Sequence, residues 1–373
     1  MKNLINLSGG DRLNLRVEGK ILLSESVKNG KSRQTQKEFE SIDEAQKACI
    51  KKEWESLKKG YVLQNSDAKA GEASLHVYIG GGYTGALAFA GAGVEFFVYK
   101  CGGYKEEESV DFLTRLGTDG AIKGDIILPK PLAWHAERAG ENLLLDLDHD
   151  IFKFNPQTGE FTNVFKELKI KRNGDITSCV CASGEAAAFA AYGQIYVLRD
   201  GGFSSLGKYK TDSGCGAAFC IALSTDGAKL ALSCKQNEIK ILNALNGEIL
   251  NEIKEDFGAL SDVCFLNDGS LLGREYYEGG LVCFGAAGSR QTPAWMRGEC
   301  AKAQKIRVSA DGSRLALINY DKARIIDLKS GNLCLSFELS HVVKRCEAKF
   351  ERINGEEFLA VRTDYGCFSL YKI

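Results

Sequence analysis

Lys305-Ile306-Arg307-Val308-Ser309-Ala310-Asp311-Gly312-Ser313-Arg314-Leu315-Ala316-Leu317-Ile318 reads as a hairpin: a strand-like run, an Asp-Gly corner and a second run. Asp-Gly and Asn-Gly readily adopt the left-handed torsions of a tight hairpin. A third run follows at Ala323-Arg324-Ile325-Ile326-Asp327-Leu328, then a Ser330-Gly331 turn and a fourth run from Asn332 to Leu339. The same four-run unit recurs at residues 214–254, with turns at Asp226-Gly227 and Asn246-Gly247. It recurs again at 131–166, with Gln157-Thr158-Gly159 as second turn, and least regularly at 260–297, with a turn near Gly288. Corner glycines stand at Gly93, Gly140, Gly184, Gly227, Gly269, Gly312 and Gly355, at intervals of 47, 44, 43, 42, 43 and 43 residues.

A period of about 40–45 residues with four strands per unit is that of a β-propeller blade. One four-stranded sheet cannot hide both faces, so neighbouring blades must stack. Small and branched runs such as Ala186-Ala187-Ala188-Phe189-Ala190-Ala191 and Leu230-Ala231-Leu232-Ser233-Cys234 suit that packing. The seventh unit has only three runs: Cys346 to Arg352, Glu357 to Thr363 and Gly366 to Ile373. A surplus run, Ala73-Ser74-Leu75-His76-Val77-Tyr78-Ile79, waits before the first unit at about 85–128. Pairing it beside the last run leaves no open sheet edge. The first unit is the least even, with Glu106-Glu107-Glu108 in a loop. The expectation is a mainly-β chain: a seven-bladed β-propeller over 73–373 closed by the 73–79 strand, a 64–72 linker, and a small α+β domain over 1–63.

That first segment differs in kind. It holds 13 Lys+Arg against 9 Asp+Glu, about +4. Residues 12–17 and 20–24 read as strands and Asn29-Gly30 as a turn. Ser41-Ile42-Asp43-Glu44 opens a helix with a capping box, and Gly60 fits its end after Lys58 and Lys59. The stretch resembles a WGR domain, the small fold found in some poly(ADP-ribose) polymerases and in bacterial MolR-type proteins. The resemblance rests on Leu13-Asn14-Leu15-Arg16-Val17, Glu18-Gly19, Gln34-Thr35, Lys37-Glu38-Phe39, the Ser-x-x-Glu-Ala helix start and Lys58-Lys59-Gly60-Tyr61-Val62. The naming Trp, Gly and Arg fall on Ser26, Val27 and Lys28, so the motif is degenerate. The resemblance implies nucleic-acid contact. Without the aromatic, only Lys28, Lys31 and Arg33 remain to touch phosphates.

The repeat units resemble WD40 and related bacterial propeller repeats. Ser224-Thr225-Asp226-Gly227 and Ser309-Ala310-Asp311-Gly312 match the family's turn. The Trp-Asp ending is replaced by Leu198-Arg199-Asp200, Ile241-Leu242-Asn243 and Ile326-Asp327-Leu328. The resemblance implies the architecture; protein or peptide recognition is expected only by analogy with the fold, whose rims present many loops on a rigid disc.

With 48 Lys+Arg and 49 Asp+Glu, net charge is -1, which gives no global attraction to nucleic acid or anionic membrane. The first residues lack a signal-peptide pattern and no apolar run spans a bilayer, so a cytosolic protein with no membrane partner is expected. The 13 cysteines form no CxxC pair and sit mostly in apolar runs, as reduced small hydrophobes do. The four histidines, His76, His135, His149 and His341, have no zinc-motif spacing, so neither metal nor cofactor is expected.

No catalytic template fits. Gly80-Gly81-Gly82-Tyr83-Thr84-Gly85 lacks the Lys-Ser/Thr of a phosphate loop. Asp146-Leu147-Asp148-His149-Asp150 reads as a solvated strand-to-turn corner. The first strands of the units, such as Cys179-Val180-Cys181 and Val263-Cys264-Phe265, are mostly apolar, which disfavours a polar catalytic ring. His135, Arg307 and Lys349 are the channel-lining candidates. Tyr276, Tyr277, Trp295 and Met296 are the rim candidates for a protein interface. The sequence reading is therefore a non-catalytic interaction scaffold using rim loops, not an enzyme. Its alternatives are nucleic-acid binding through the basic N-terminal domain and a propeller enzyme with a central-channel site.

Overall fold

The computed structural model describes residues 1–81, 85–103, 110–172, 177–211 and 219–373. Gly82, Tyr83 and Thr84 of the glycine-rich run and the Glu106-Glu107-Glu108 loop lie outside the described residues.

All seven corner glycines are left-handed, with φ between 58° at Gly184 and 84° at Gly355. Each turns the chain from a first strand into its antiparallel neighbour, as Val308↔Leu315 flanks Gly312. Six sheets are four-stranded meanders. Their first strands are Phe89–Ala92, Ala133–Ala139, Ser178–Ser183, Cys220–Leu223, Leu260–Phe265 and Lys305–Val308. Each of these first strands touches the next, and Lys305–Val308 touches Cys346–Ile353, so they form the inner ring of a propeller. Sheets stack through their faces: Phe97, Tyr99 and Leu113 of the first pack with Leu143, Leu145 and Phe152 of the second. Alternation places these apolar side chains between blades. The outer strands are solvated, as in Ile122–Ile127.

The remaining strands form one nine-stranded sheet. Its inner part runs Cys346–Ile353, Glu356–Thr363, Cys367–Lys372 and Ala73–Tyr78. The chain's early and late segments pair here, with Phe368↔Val77 and Leu370↔Leu75. The sheet then continues, because Leu63↔His76 joins Tyr61–Gln64 to Ala73–Tyr78. Beyond lie Lys2–Asn6, Arg12–Glu18, Ile21–Lys28 and Lys31–Glu38.

This corrects the expected fold of seven four-stranded blades beside a separate α+β domain. Six four-stranded blades are present, and the closing sector belongs to a nine-stranded sheet shared with the N-terminal strands. The physical reason is an edge. The 73–79 strand offers a second row of backbone groups once its first row is paired, and Tyr61–Gln64 takes it. The helical share of the N-terminal unit is one helix, Ile42–Leu57. Ser41 Oγ caps it by accepting from the Glu44 amide at 3.2 Å. Ala45, Cys49, Glu53, Ser56 and Leu57 form its buried stripe, against Leu4, Leu15 and Leu63 of the sheet.

Residues 65–72 are hydrogen-bonded to the propeller. The Gly71 amide donates to Lys372 O at 2.8 Å, and the Lys372 amide to Glu72 O at 3.0 Å. No described helix is long and apolar enough to cross a membrane.

Candidate metal centre

Glu53 is the one charged residue on the buried stripe of the helix, and it is fully buried. His76 comes from the strand Ala73–Tyr78 and His341 from the turn after Asn332–Glu338. The three ligand atoms all lie within 4.8 Å of one another. His76 Nε2 is 3.9 Å from Glu53 Oε1, and His341 Nε2 is 3.6 Å from Glu53 Oε2, both too long for hydrogen bonds. Glu53 Oε1 and His341 Nε2 are buried without a hydrogen-bond partner. Two such orphans in one buried cluster cost roughly 1–3 kcal/mol each unless something satisfies them.

The surroundings fix the ligands. His76 Nδ1 is bound to the buried Ser369 Oγ at 2.7 Å, which turns Nε2 toward Glu53. Trp54, next to Glu53 on the helix, stacks on His341 at 5.4 Å and on Tyr365 at 4.2 Å. His341 has a left-handed backbone, φ 59°, which is costly for a residue with a Cβ. Such strain persists where the surroundings over-determine it. Lys2 Nζ is hydrogen-bonded to Glu53 Oε2, leaving Oε1 toward His76.

Burial alone would raise the Glu53 carboxyl. The His341 contact and the positive charges beside it outweigh burial and hold it well below the usual carboxylate range. Burial depresses His76 to about 3, so it is neutral at physiological pH and presents a lone pair. Both folded values lie below the ordinary 4.5 and 6.5, so the unfolded chain takes up protons first as pH falls. Stability is full above pH 6.5, declines toward pH 3 as His76 of the unfolded chain protonates, and declines further below 4.5 through Glu53. Urea midpoints between pH 7 and 4 should fall with pH in the wild type and fall less in His76→Gln. An equal slope in both proteins would contradict the assignment.

The cluster corrects two sequence expectations, a non-catalytic scaffold and a chain that is not an enzyme. A buried carboxylate with two imidazoles is a constellation of metal and catalytic centres, and a passive rim has no use for it. Sequence reading missed it because the ligands are 23 and 265 residues apart and share no local motif. The only signal was an acidic residue on the apolar stripe of the predicted helix. The centre lies at the outer strand of the closing sheet, away from the central channel.

The residues singled out from sequence fall elsewhere. Lys28 and Lys31 face each other across a hairpin whose turn, Asn29-Gly30, is left-handed at both residues, with exposed Arg33 two places on. Tyr276 and Tyr277 are exposed and in edge contact at 5.0 Å. Trp295 and Met296 lie beyond the short strand Arg290–Gln291 and pack half-buried against the cluster around Cys283 and Leu317. Arg307 and Lys349 do sit on inner strands, and the strands are more polar than their apolar runs suggested. Arg307 binds Asp262 at 2.7 Å and Glu347 at 2.5 Å, from the two neighbouring inner strands. Arg307 and Lys305 hold Glu347 well below its usual range against the effect of burial. Lys349 binds Glu137 at 2.7 Å and the Ala136 carbonyl at 2.5 Å. His135 is bound to Asp146 at 3.1 Å.

No family model matches the sequence, and no curated protein matches it. Solved structures do resemble the fold. One is the selenomethionine-substituted virginiamycin B lyase from Staphylococcus aureus, with a TM-score of 0.54 and 12% identity over 77% of this chain and 94% of that one. Another is the mitotic checkpoint complex, with a TM-score of 0.58 and 11% identity over 83% of this chain and 96% of that one. At these identities the likeness shows a many-bladed propeller fold and nothing finer.

Proposed function

We propose that this protein is a metal-dependent propeller enzyme whose divalent cation is held by Glu53, His76 and His341. The observation that carries the reading is the convergence of three buried ligand atoms, two of them without any other partner. One carboxylate and two imidazoles suit zinc or another borderline divalent transition metal. Three protein ligands leave a further coordination position, as catalytic rather than structural zinc centres do. Such a cation would supply Lewis-acid activation for hydrolysis or elimination. The ligand side chains are 0, 1 and 2% exposed, so the substrate class is a small molecule. In this reading Ser369 positions His76, Trp54 positions His341, and Lys2 neutralises Glu53 before the cation arrives. The WGR-like reading of 1–63 and the WD40-like reading of the blades stand beside it as family expectations, supported by the quoted turns. A reducing compartment is supported by the described cysteines, all of which are free.

Metal analysis of protein purified without chelator tests this directly. About one equivalent of zinc, manganese or iron per chain is expected, removed by chelation and restored with a rise in melting temperature. Ser369→Ala, which removes the partner orienting His76, should lose about tenfold to a hundredfold in affinity, and His76→Ala, which removes a ligand, more. Lys2→Met should bind more tightly, because a competing cation is gone. Absence of metal, together with no thermal shift on adding Zn2+, Mn2+ or Fe2+, would refute the reading.

A further inference from the structure

A second polar constellation lies on the inner ring, far from the metal centre in the fold. It begins with Asp146, a fully buried residue on the second strand of its blade. Asp146 Oδ2 accepts a short 2.6 Å hydrogen bond from Ser178 Oγ, at the start of the next blade's inner strand. The same oxygen lies 3.1 Å from His135 Nδ1. Ser178 Oγ is also 2.8 Å from His149 Nδ1. The four residues form one chain: His135, Asp146, Ser178, His149.

The polarity of that chain follows from counting hydrogens. A carboxylate oxygen only accepts, so His135 Nδ1 carries its hydrogen and donates. Ser178 has one hydrogen and gives it to Asp146, so His149 Nδ1 must donate to Ser178. In its neutral form each imidazole is then fixed as the Nδ1–H tautomer, with a bare lone pair on Nε2. A histidine whose Nδ1–H is held by a buried carboxylate is oriented as a general base.

Position and access agree. His135 lies on the inner strand Ala133–Ala139, two residues from Glu137, which meets Lys349 of another inner strand. Alternate residues share a strand face, so His135 is directed toward the same channel. The His135 side chain is 37% exposed. His149 is half-buried in the left-handed Asp148-His149 turn and is stacked on Trp134. Two further polar atoms are unpaired there: Asp146 Oδ1 and Trp134 Nε1 are buried with no hydrogen-bond partner among the described residues. By contrast, His76 and His341 are buried.

We infer that His135 and His149 form a paired general-base site at the channel, positioned by Asp146 and Ser178, which takes a proton from water or a substrate hydroxyl. In that step the O–H bond breaks with its electrons left on oxygen. The Nε2 lone pair forms the new N–H bond, and the imidazolium keeps its Nδ1–H on Asp146 or Ser178. The oxygen so activated attacks an acyl carbon, and the leaving alkoxide or phenolate departs with the electron pair of the broken C–O bond.

Two measurements on the full chain test the site. Nitrogen-resolved long-range proton NMR should find His135 and His149 both as Nδ1–H tautomers at neutral pH. Ser178→Ala should release the tautomer of His149 and leave that of His135. With 4-nitrophenyl acetate as probe, release of 4-nitrophenol should fall roughly tenfold or more in the double variant H135Q/H149Q. Both side chains reach solvent, so the double variant should fold. An Nε2–H tautomer at His135 or His149 in the wild type would overturn the inference. Equal ester cleavage by the wild type and the double variant would overturn it as well.

Discussion

Arg362→Met should be the most damaging single substitution in the propeller, lowering stability by about 3–5 kcal/mol. Arg362 is fully buried on the strand Glu356–Thr363. Its guanidinium donates to carbonyls at Gly80 (2.5 Å), Tyr99 (3.2 Å), Gly81 (3.4 Å) and Cys367 (3.4 Å). Tyr99 belongs to the first four-stranded blade and Cys367 to the nine-stranded sheet, so one side chain stitches the ring across its closing seam. Burial pulls its pKa down to about 10, which still leaves it charged at neutral pH. Met fills the volume but provides no donor, and each carbonyl orphaned costs roughly 1–3 kcal/mol. Arg362→Lys should recover little, since one ammonium cannot spread donors over both sides of the seam. Urea unfolding reads the effect. A midpoint shift equivalent to less than about 0.5 kcal/mol would mean the seam is held by something else.

Glu53→Ala should cost about 3 kcal/mol before any metal is added. It removes the partner of Lys2 and leaves a cavity beside two imidazoles. The cost sits at the low end for a broken buried pair, because Lys2 is 31% exposed and can turn to water. Glu53→Gln preserves the packing and should lose less in the metal-free protein, yet lose the metal-induced rise in melting temperature completely. A double-mutant cycle with Lys2→Met should give a coupling on the order of 1 kcal/mol. Equal melting temperatures for the wild type and Glu53→Ala, with and without Zn2+, would dismiss both the pair and the centre.

Legibility followed the range of the interactions. The hairpin corners were readable because a left-handed glycine answers to its own torsion angles. Gly227, Gly269, Gly312 and Gly355 each close a turn between consecutive strands. The helix start was readable for the same reason, since Ser41 and Glu44 act within one turn. The ion network on the inner strands was not readable. Asp262, Arg307 and Glu347 stand on three separate inner strands, and only the adjacency of those strands brings them into one network. The candidate rim residue Trp295 lies beyond the short strand Arg290–Gln291 and packs half-buried, which only the tertiary contacts could show.

The sequence alone determined that this chain builds stacked antiparallel sheets, because period, corner torsion and alternating burial are properties of short segments. Tertiary structure alone decided where the ring merges with the N-terminal strands, since backbone edges pair without regard to side-chain identity. It alone decided the chemistry too. Glu53, His76 and His341 are ordinary residues in their own segments, and they become a centre only where a helix, a strand paired on both sides and a turn meet in one buried cluster.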